Sequence, residues 1–173
     1  MASKSKSNSK LTTWGKTWRL AACIAVPLGG GFLISLLTRD AMGQFGTLSQ
    51  PPLAPPAWLF PVAWTILYVL MGIASYLIYL KIRQGGKSEN SSARIALIIY
   101  GAQLVFNFLW TPLFFNANLY WLAFVVLLIM WILELVLLIK AYKISRPAFW
   151  CLLPYIIWST FAAYLNISIA LLN

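Results

Sequence analysis

Tryptophan, tyrosine and asparagine side chains recur at helical spacing in several of the most apolar stretches of the sequence. Trp64 and Tyr68 lie four residues apart, so they share one face of a helix. Asn107, Trp110 and Phe114 share a second face in the same way. Aromatic walls with a few polar groups are what a cavity for a flat, apolar ligand requires, and the same spacing is also typical of core packing. The pattern therefore predicts either a ligand cavity or an aromatic core.

A third face of this kind lies near the C-terminal end. Trp158, Ala162 and Asn166 recur every four residues, and Phe161 flanks them. An asparagine within a membrane helix needs hydrogen-bond partners, so we expect Asn107 to face the interior of the bundle. If these faces meet, the chemistry they offer is stacking against a planar ring.

Side chains for acid–base or metal chemistry are scarce. The sequence has no histidine and three acidic residues, Asp40, Glu89 and Glu134. This excludes histidine-based catalysis and metal binding and leaves almost no scope for paired carboxylates. Cys23 and Cys151 lie in apolar runs, where they are expected to be small buried side chains and not disulfide or metal ligands. We therefore predict no metal site and no covalently bound cofactor.

Glu134 is the one acid inside a long apolar stretch. Lys140 follows six residues later, about 9 Å along a helix. The carboxylate either extends toward that basic side or marks a functional polar site within the membrane.

The elements that position these residues are predicted from the composition. Hydrophobic residues make up 61% of the 173 residues and charged residues 9%, whereas a soluble domain has about 25% charged residues. Continuous apolar runs of about 20 residues indicate membrane-spanning helices. We predict an all-α integral membrane protein, a five-transmembrane-helix bundle in one domain (18–173) behind a basic flexible tail (1–17). The predicted spans are 20–37, 58–80, 95–115, 119–139 and 149–172.

Basic residues are distributed unevenly between the two predicted membrane surfaces. Of the thirteen Lys and Arg, Arg39 alone falls on one side. The positive-inside rule then predicts a cytoplasmic N-terminus and an outside C-terminus. A bacterial inner (plasma) membrane fits this asymmetry best, with an organelle outer membrane as the alternative. The net charge of +10 is thus explained by topology and by the lipid bilayer as partner, and no nucleic acid is expected.

The connection between the first two spans is long and rich in proline. It includes the stretch "SQPPLAPPAWLFPVAW", residues 49 to 64, in which proline fixes the backbone in extended geometry. Loops of this length are usually functional. We predict a stiff lid over the mouth of a cavity, with a plain connector as the alternative. The lid residues are Leu53, Pro55, Pro56 and Trp58.

Small residues recur every four positions on the first span, at Ala21, Ala25 and Gly29. Such faces let helices approach closely. The contact is expected either within the bundle or between two copies in a homodimer.

Three blocks of the sequence together resemble the TspO/MBR family (tryptophan-rich sensory protein, also known as translocator protein or peripheral benzodiazepine receptor). They are "PPLAPPAWLFPVAWTILYVLMGIASYL", "NFLWTPLFF" and "LLPYIIWSTFAAYLN". The resemblance implies a five-helix bundle with a pocket closed by the first extramembrane loop. It also implies binding of porphyrins and other heme-type tetrapyrroles, of benzodiazepine-type ligands and, in animals, of cholesterol. By position, the pocket residues are Trp64, Asn107, Trp110, Trp158 and Ala162, under a loop containing Pro55 and Pro56.

The function expected from residues and resemblance together is a membrane receptor or carrier for porphyrins in tetrapyrrole homeostasis or stress signalling. The ligand residues are Trp64, Tyr68, Asn107, Trp110, Phe114, Trp158, Phe161 and Ala162. One alternative is an enzyme that degrades porphyrin in light, for which the resemblance implicates Trp64 and Trp158. The other is a transporter of tetrapyrroles or sterols.

The sequence departs from the family pattern at three places. Leu53 stands where the family often has tryptophan, and Ile98 and Ala102 replace a glycine-rich surface of the third helix. Ile167 stands in the cholesterol motif, and no Lys or Arg follows Arg146. Cholesterol binding through that motif is therefore not expected.

Overall fold

A computed structural model describes residues 13–84 and 86–173, which form α-helices joined by turns, with no strand among them. Five of the helices are long and apolar enough to cross a membrane, so the predicted five-span, all-α integral membrane fold is confirmed. The helices are α1 (Thr13–Leu37), α2 (Arg39–Gln44), α3 (Leu59–Gln84), α4 (Lys87–Phe115), α5 (Tyr120–Ile144) and α6 (Arg146–Leu172), with a 3₁₀ turn at Phe45–Thr47.

The five spans form a ring in the order α1, α3, α6, α5, α4, in which α3 and α4 also contact each other. Helix α1 is the least enclosed. Only 6% of its most apolar stretch is buried, against 33–39% in the other four spans. The buried core therefore lies among α3, α4, α5 and α6, and α1 forms an outer wall.

The two ends of the bundle differ in charge. The basic end has the start of α1 and the α3–α4 and α5–α6 connections, and the loop end has residues 38–58 and 116–119 and the end of α6. At the loop end the predicted span limits agree with the structure to within one residue. At the basic end each helix continues three to eight residues further, because Lys and Arg extend a helix out of the apolar layer without ending it.

The predicted flexible tail falls mostly outside the described residues. Residues 13–17, which we assigned to it, are the first residues of α1. Trp14 and Trp18 on this part of α1 are exposed, as expected for aromatic residues at a membrane interface.

A close approach joins α1 to α3 near the middle of both helices. A Cβ atom on Gly72 would lie 2.6 Å from the Cα atom of Ile24, so only glycine allows this contact. The predicted small face of α1 is not used here, because Ala21, Ala25 and Gly29 are all exposed. Of the two alternatives, the structure does not show packing within the bundle for these three residues, and contact between two copies stays a prediction.

Candidate functional site

A cavity of about 340 Å³ lies between α1, α3 and α4, toward the loop end. Pockets that bind small molecules have volumes of roughly 300–1,000 Å³. The cavity is lined by Leu28, Gly31, Phe32, Ile34, Ser35, Thr38, Phe60, Pro61, Trp64, Thr65, Tyr68, Trp110, Thr111 and Phe115. Phe32, Ser35, Pro61 and Thr65 are exposed, so the cavity opens between α1 and α3.

Aromatic rings from α3 and α4 form the inner wall of this cavity. The ring centroid of Trp64 lies 5.6 Å from that of Tyr68 and 6.2 Å from that of Trp110. Trp110 stacks on Phe114 at 5.5 Å, and its Nε1 donates to Asn166 Oδ1 at 2.9 Å. The Trp110 ring is therefore held in place by a neighbouring ring and by a hydrogen bond to α6.

Helix α1 forms the opposite wall, and two of its glycines allow it to pack closely on α3 and α4. A Cβ atom on Gly31 would lie 2.1 Å from Cε2 of Tyr68, and one on Gly30 would lie 2.2 Å from Cζ of Phe108. The missing side chains let the α1 backbone come close to these rings. The cavity thus lies between the aromatic wall and a face of α1 that carries apolar and hydroxyl side chains and one glycine.

Hydroxyl groups provide the polar part of the lining. Thr38 donates to Ile34 O at 3.0 Å, and Thr65 donates to Pro61 O at 2.7 Å. Ser35 likewise donates to a carbonyl of its own helix. Because a hydroxyl has one proton, the oxygens of these groups remain available as acceptors. The polar lining therefore suits a ligand that carries N–H or O–H donors.

A hydrogen-bonded chain leads from the cavity into the core. Tyr68 donates to Asn107 Oδ1 at 2.7 Å, and Asn107 Nδ2 donates to the Tyr155 hydroxyl at 3.0 Å. Tyr155 in turn donates to Gln103 Oε1 at 2.7 Å. Asn107 is fully buried, so the expectation that it faces the interior is confirmed.

Glu134 lies at the far side of this chain and is 3% exposed. Ser159 Oγ and Glu134 Oε2 form a hydrogen bond of 2.5 Å, and the Tyr155 hydroxyl is next to the same carboxyl group. The expectation that Glu134 extends toward the basic end is therefore wrong, because its partners lie on α6 inside the bundle. It is a buried polar site within the membrane.

Comparisons with known proteins agree with this architecture. Residues 23–172 match the model of the TspO/MBR family. The chain belongs to the TspO/MBR family. It is 34% identical to Tryptophan-rich protein TspO of Chlorobaculum tepidum, over 89% of this chain and 95% of that protein. It is 38% identical to the Translocator protein of Ovis aries over 82% of each chain, and 36% identical to Tryptophan-rich sensory protein of Cereibacter sphaeroides over 89% and 88%.

The structure brings some of the ligand residues predicted from the sequence to one cavity. Trp64, Tyr68 and Trp110 line it. Asn107 and Phe114 are buried directly behind that wall, against Tyr68 and Trp110 respectively. The assignment of these residues to a ligand site stays a prediction.

The other predicted ligand residues, on α6, do not line the cavity. Trp158 lies behind Phe60, with the two ring centroids 6.2 Å apart, and contacts Phe161 at 5.8 Å. Ala162 is buried in the core cluster that contains Trp110. A ligand role for Trp158, Phe161 and Ala162 also stays a prediction.

The proline-rich loop lies across the loop end, attached to α6. Ser49 N donates to Asn173 Oδ1 at 2.9 Å, and the Tyr164 hydroxyl donates to Pro52 O at 2.8 Å. None of the predicted lid residues lines the 340 Å³ cavity. Leu53, Pro55 and Pro56 border a separate recess within the loop, and Trp58 is exposed. The role of this TspO/MBR loop as a lid stays a prediction.

Two sets of functional candidates were missed by the sequence reasoning. Gly31, Ser35 and Thr38 recur at helical spacing on α1, and this periodicity could have identified the second wall. Gln103 lies one turn before Asn107, so extending that polar face by one turn would have included it. Tyr155 and Ser159 form a similar pair on α6.

Proposed function

We propose that this protein is a membrane receptor or carrier that binds planar, apolar ligands, namely porphyrins and benzodiazepine-type compounds, in the cavity between α1, α3 and α4. The observation that carries the proposal is the cavity of about 340 Å³ between the aromatic wall of α3 and α4 and the facing side of α1. Membership of the TspO/MBR family supports it. The name "Translocator protein" of one relative supports a role as carrier.

The lining suits such a ligand in two respects. Stacking of a flat ring on an aromatic side chain contributes roughly 0.5–1.5 kcal/mol beyond the burial of apolar area, and Trp64 and Trp110 both offer ring surface. The hydroxyl oxygens of Thr38 and Thr65 accept hydrogen bonds from N–H or O–H groups of the ligand. Because the cavity opens between α1 and α3, an apolar ligand can enter from the lipid.

The proposal is tested by titrating protoporphyrin IX into the detergent-solubilised protein and following the porphyrin absorbance. Trp64→Phe removes part of the stacking surface, and we expect binding to weaken about five- to tenfold, within the range of one aromatic pair. Trp158→Phe tests the predicted role of α6. Because Trp158 does not line the cavity, its affinity should equal that of the wild type if the cavity is the binding site.

Two outcomes would contradict this assignment. Equal affinity of Trp64→Phe and the wild type would exclude the cavity as the porphyrin site. A loss confined to Trp158→Phe would place the site on α6.

Displacement of porphyrin by a benzodiazepine-type competitor tests whether both ligand classes share the cavity. Porphyrin flux into liposomes separates a carrier from a receptor.

We also propose that the basic end is cytoplasmic, because nine of the ten Lys and Arg among the described residues lie in segments at that end. Cysteines introduced at Ser49 and at Ser88, in a background without Cys23 and Cys151, test it in intact cells. A membrane-impermeant maleimide should label the cysteine at position 49 and not the one at position 88. The reverse pattern would overturn this orientation.

A further inference from the structure

Glu134 has no role in the ligand cavity, yet it lies in the core of the bundle. Its Oε1 atom has no hydrogen-bond partner within the described part of the chain, and the same holds for Gln103 Nε2. Gln103 is fully buried. Ionisable groups inside a membrane are costly and usually functional. The core therefore contains a buried carboxyl group, one donor without an acceptor (Gln103 Nε2) and one acceptor without a donor (Glu134 Oε1) among the described residues.

The positions of the surrounding hydrogen bonds show how this site can hold a proton. A phenol has one proton, and in the structure Tyr155 donates it to Gln103 Oε1, at 2.7 Å. Turning this proton toward the carboxyl group of Glu134 would end the bond to Gln103. Ser159 is also 3.1 Å from Ile156 O. If Glu134 is neutral, it donates to Ser159, Ser159 donates to Ile156 O, and Tyr155 donates to Gln103. Every hydroxyl proton then has an acceptor.

When Glu134 is charged, fewer of these hydrogen-bonding groups have a partner. A carboxylate takes the protons of both Ser159 and Tyr155, which leaves Gln103 Oε1 without its donor. Loss of a buried hydrogen bond and burial of a charge are both unfavourable. The geometry therefore has two arrangements, distinguished by one proton on Glu134 and by the direction in which Tyr155 donates.

We propose that Glu134 is a proton-binding site, and that the chain Tyr68–Asn107–Tyr155 couples its proton to ligand binding in the cavity. The coupling rests on the proposed function, because Tyr68 both lines the cavity and starts the chain.

The groups that face Glu134 come from each helix packed on α5. Helix α6 provides Tyr155 and Ser159, and α4 provides Gln103 through Tyr155. Helix α3 provides Tyr68, through Asn107. Lys140, on α5 itself, lies six residues toward the basic end and is half-buried. The carboxyl group is thus surrounded by neutral donors and acceptors.

The sign of the coupling follows from the direction of the hydrogen bonds. With Glu134 charged, Tyr155, Asn107 and Tyr68 all donate toward the carboxylate, and each bond strengthens the next. Tyr68 then releases its proton less readily to a ligand. A ligand carbonyl that accepts from Tyr68 therefore binds more tightly when Glu134 is neutral, and by reciprocity it holds the proton on Glu134.

The experiment measures the affinity of protoporphyrin IX dimethyl ester, which has ester carbonyls and no ionisable carboxyl group, from about pH 6 to about pH 10. For the wild type we expect affinity to fall roughly fivefold or more as pH rises, in the usual range for coupled sites. Glu134→Gln cannot lose a proton, so its affinity should not change with pH. Superimposable pH profiles of the two proteins would overturn the proposal.

Infrared spectroscopy provides a second readout if Glu134→Gln does not fold. The chain has three acidic residues, so the carbonyl-stretch band of a protonated carboxyl group at neutral pH is readily assigned. We expect this band in the ligand-free wild type, shifted in Tyr68→Phe because the start of the chain is removed. Absence of the band, or an identical band in Tyr68→Phe, would contradict the proposal.

Failure of the proposed function can be distinguished from failure of this inference. If the ester does not bind to the wild type, the proposed function fails, and the infrared band still decides whether Glu134 holds a proton that responds to Tyr68.

Discussion

The bundle contains two polar regions that differ in how their side chains are bonded. Around the cavity, the hydroxyls of Ser35, Thr38 and Thr65 donate to carbonyls of their own helices. In the core, Asn107 and Tyr155 join α3, α4 and α6 through bonds between helices. The first arrangement adds no hydrogen bond between helices, whereas the second joins three of them. The proposed binding and the hydrogen bonds that join the bundle therefore involve different sets of helices, and Tyr68 belongs to both.

The largest expected effect comes from breaking the core arrangement. Asn107→Leu removes the partner of two buried tyrosine hydroxyls, and we expect the free energy of unfolding to fall by about 2–4 kcal/mol. Thr65→Val, on the cavity side, removes a hydroxyl that bonds only within α3 and should change it by less than about 0.5 kcal/mol. Circular dichroism during denaturation in detergent measures both. Similar losses would show that the two regions do not differ.

An intermediate effect is expected where the two regions meet. In Gly31→Ala the new methyl group would overlap the Tyr68 ring, so the ring or α1 must shift, which disturbs the hydrogen bond from Tyr68 to Asn107. We expect a loss of about 1–3 kcal/mol in stability together with weaker porphyrin binding. A Cβ atom on Gly29 would meet no atom within 4 Å, so Gly29→Ala should preserve both properties. An unchanged Gly31→Ala variant would argue against close contact between α1 and Tyr68.

The smallest effect is expected at the loop end. Tyr164→Phe removes one exposed hydrogen bond to Pro52 O, worth about 0.5–1 kcal/mol. We expect faster proteolysis within residues 48–58 and unchanged porphyrin affinity, because neither residue lines the cavity. Reduced affinity in Tyr164→Phe would instead indicate that the loop acts as a lid on this cavity.

Much of the architecture could be predicted from the sequence because apolar length and charge are local properties. They determined the number of spans and placed every helix limit at the loop end to within one residue. At the basic end the apolar runs made the predicted helices too short. Lys81 and Arg83, for example, lie within α3 although they are outside the apolar run.

The neighbours of each helix could not be predicted in the same way. Periodicity showed that Trp64, Trp110 and Trp158 lie on inward faces, but it does not say which helix each face meets. In the structure α1, not α6, completes the cavity wall. The fate of Glu134 was undecided for the same reason, because its partner Ser159 is 25 residues away on another helix.

The unequal helix ends also determine how deep the cavity lies in the bilayer. The five spans have 25 to 29 residues, or about 38–44 Å at 1.5 Å per residue, which exceeds the roughly 30 Å of hydrocarbon. The surplus turns carry Lys and Arg and lie at the basic end, so a thicker or thinner membrane is accommodated there. Thr38 and Phe60 lie within a turn of the helix ends at the loop end, and the cavity lining extends from there to Leu28 and Tyr68. That is about 15 Å at 1.5 Å per residue, or roughly half of the hydrocarbon layer.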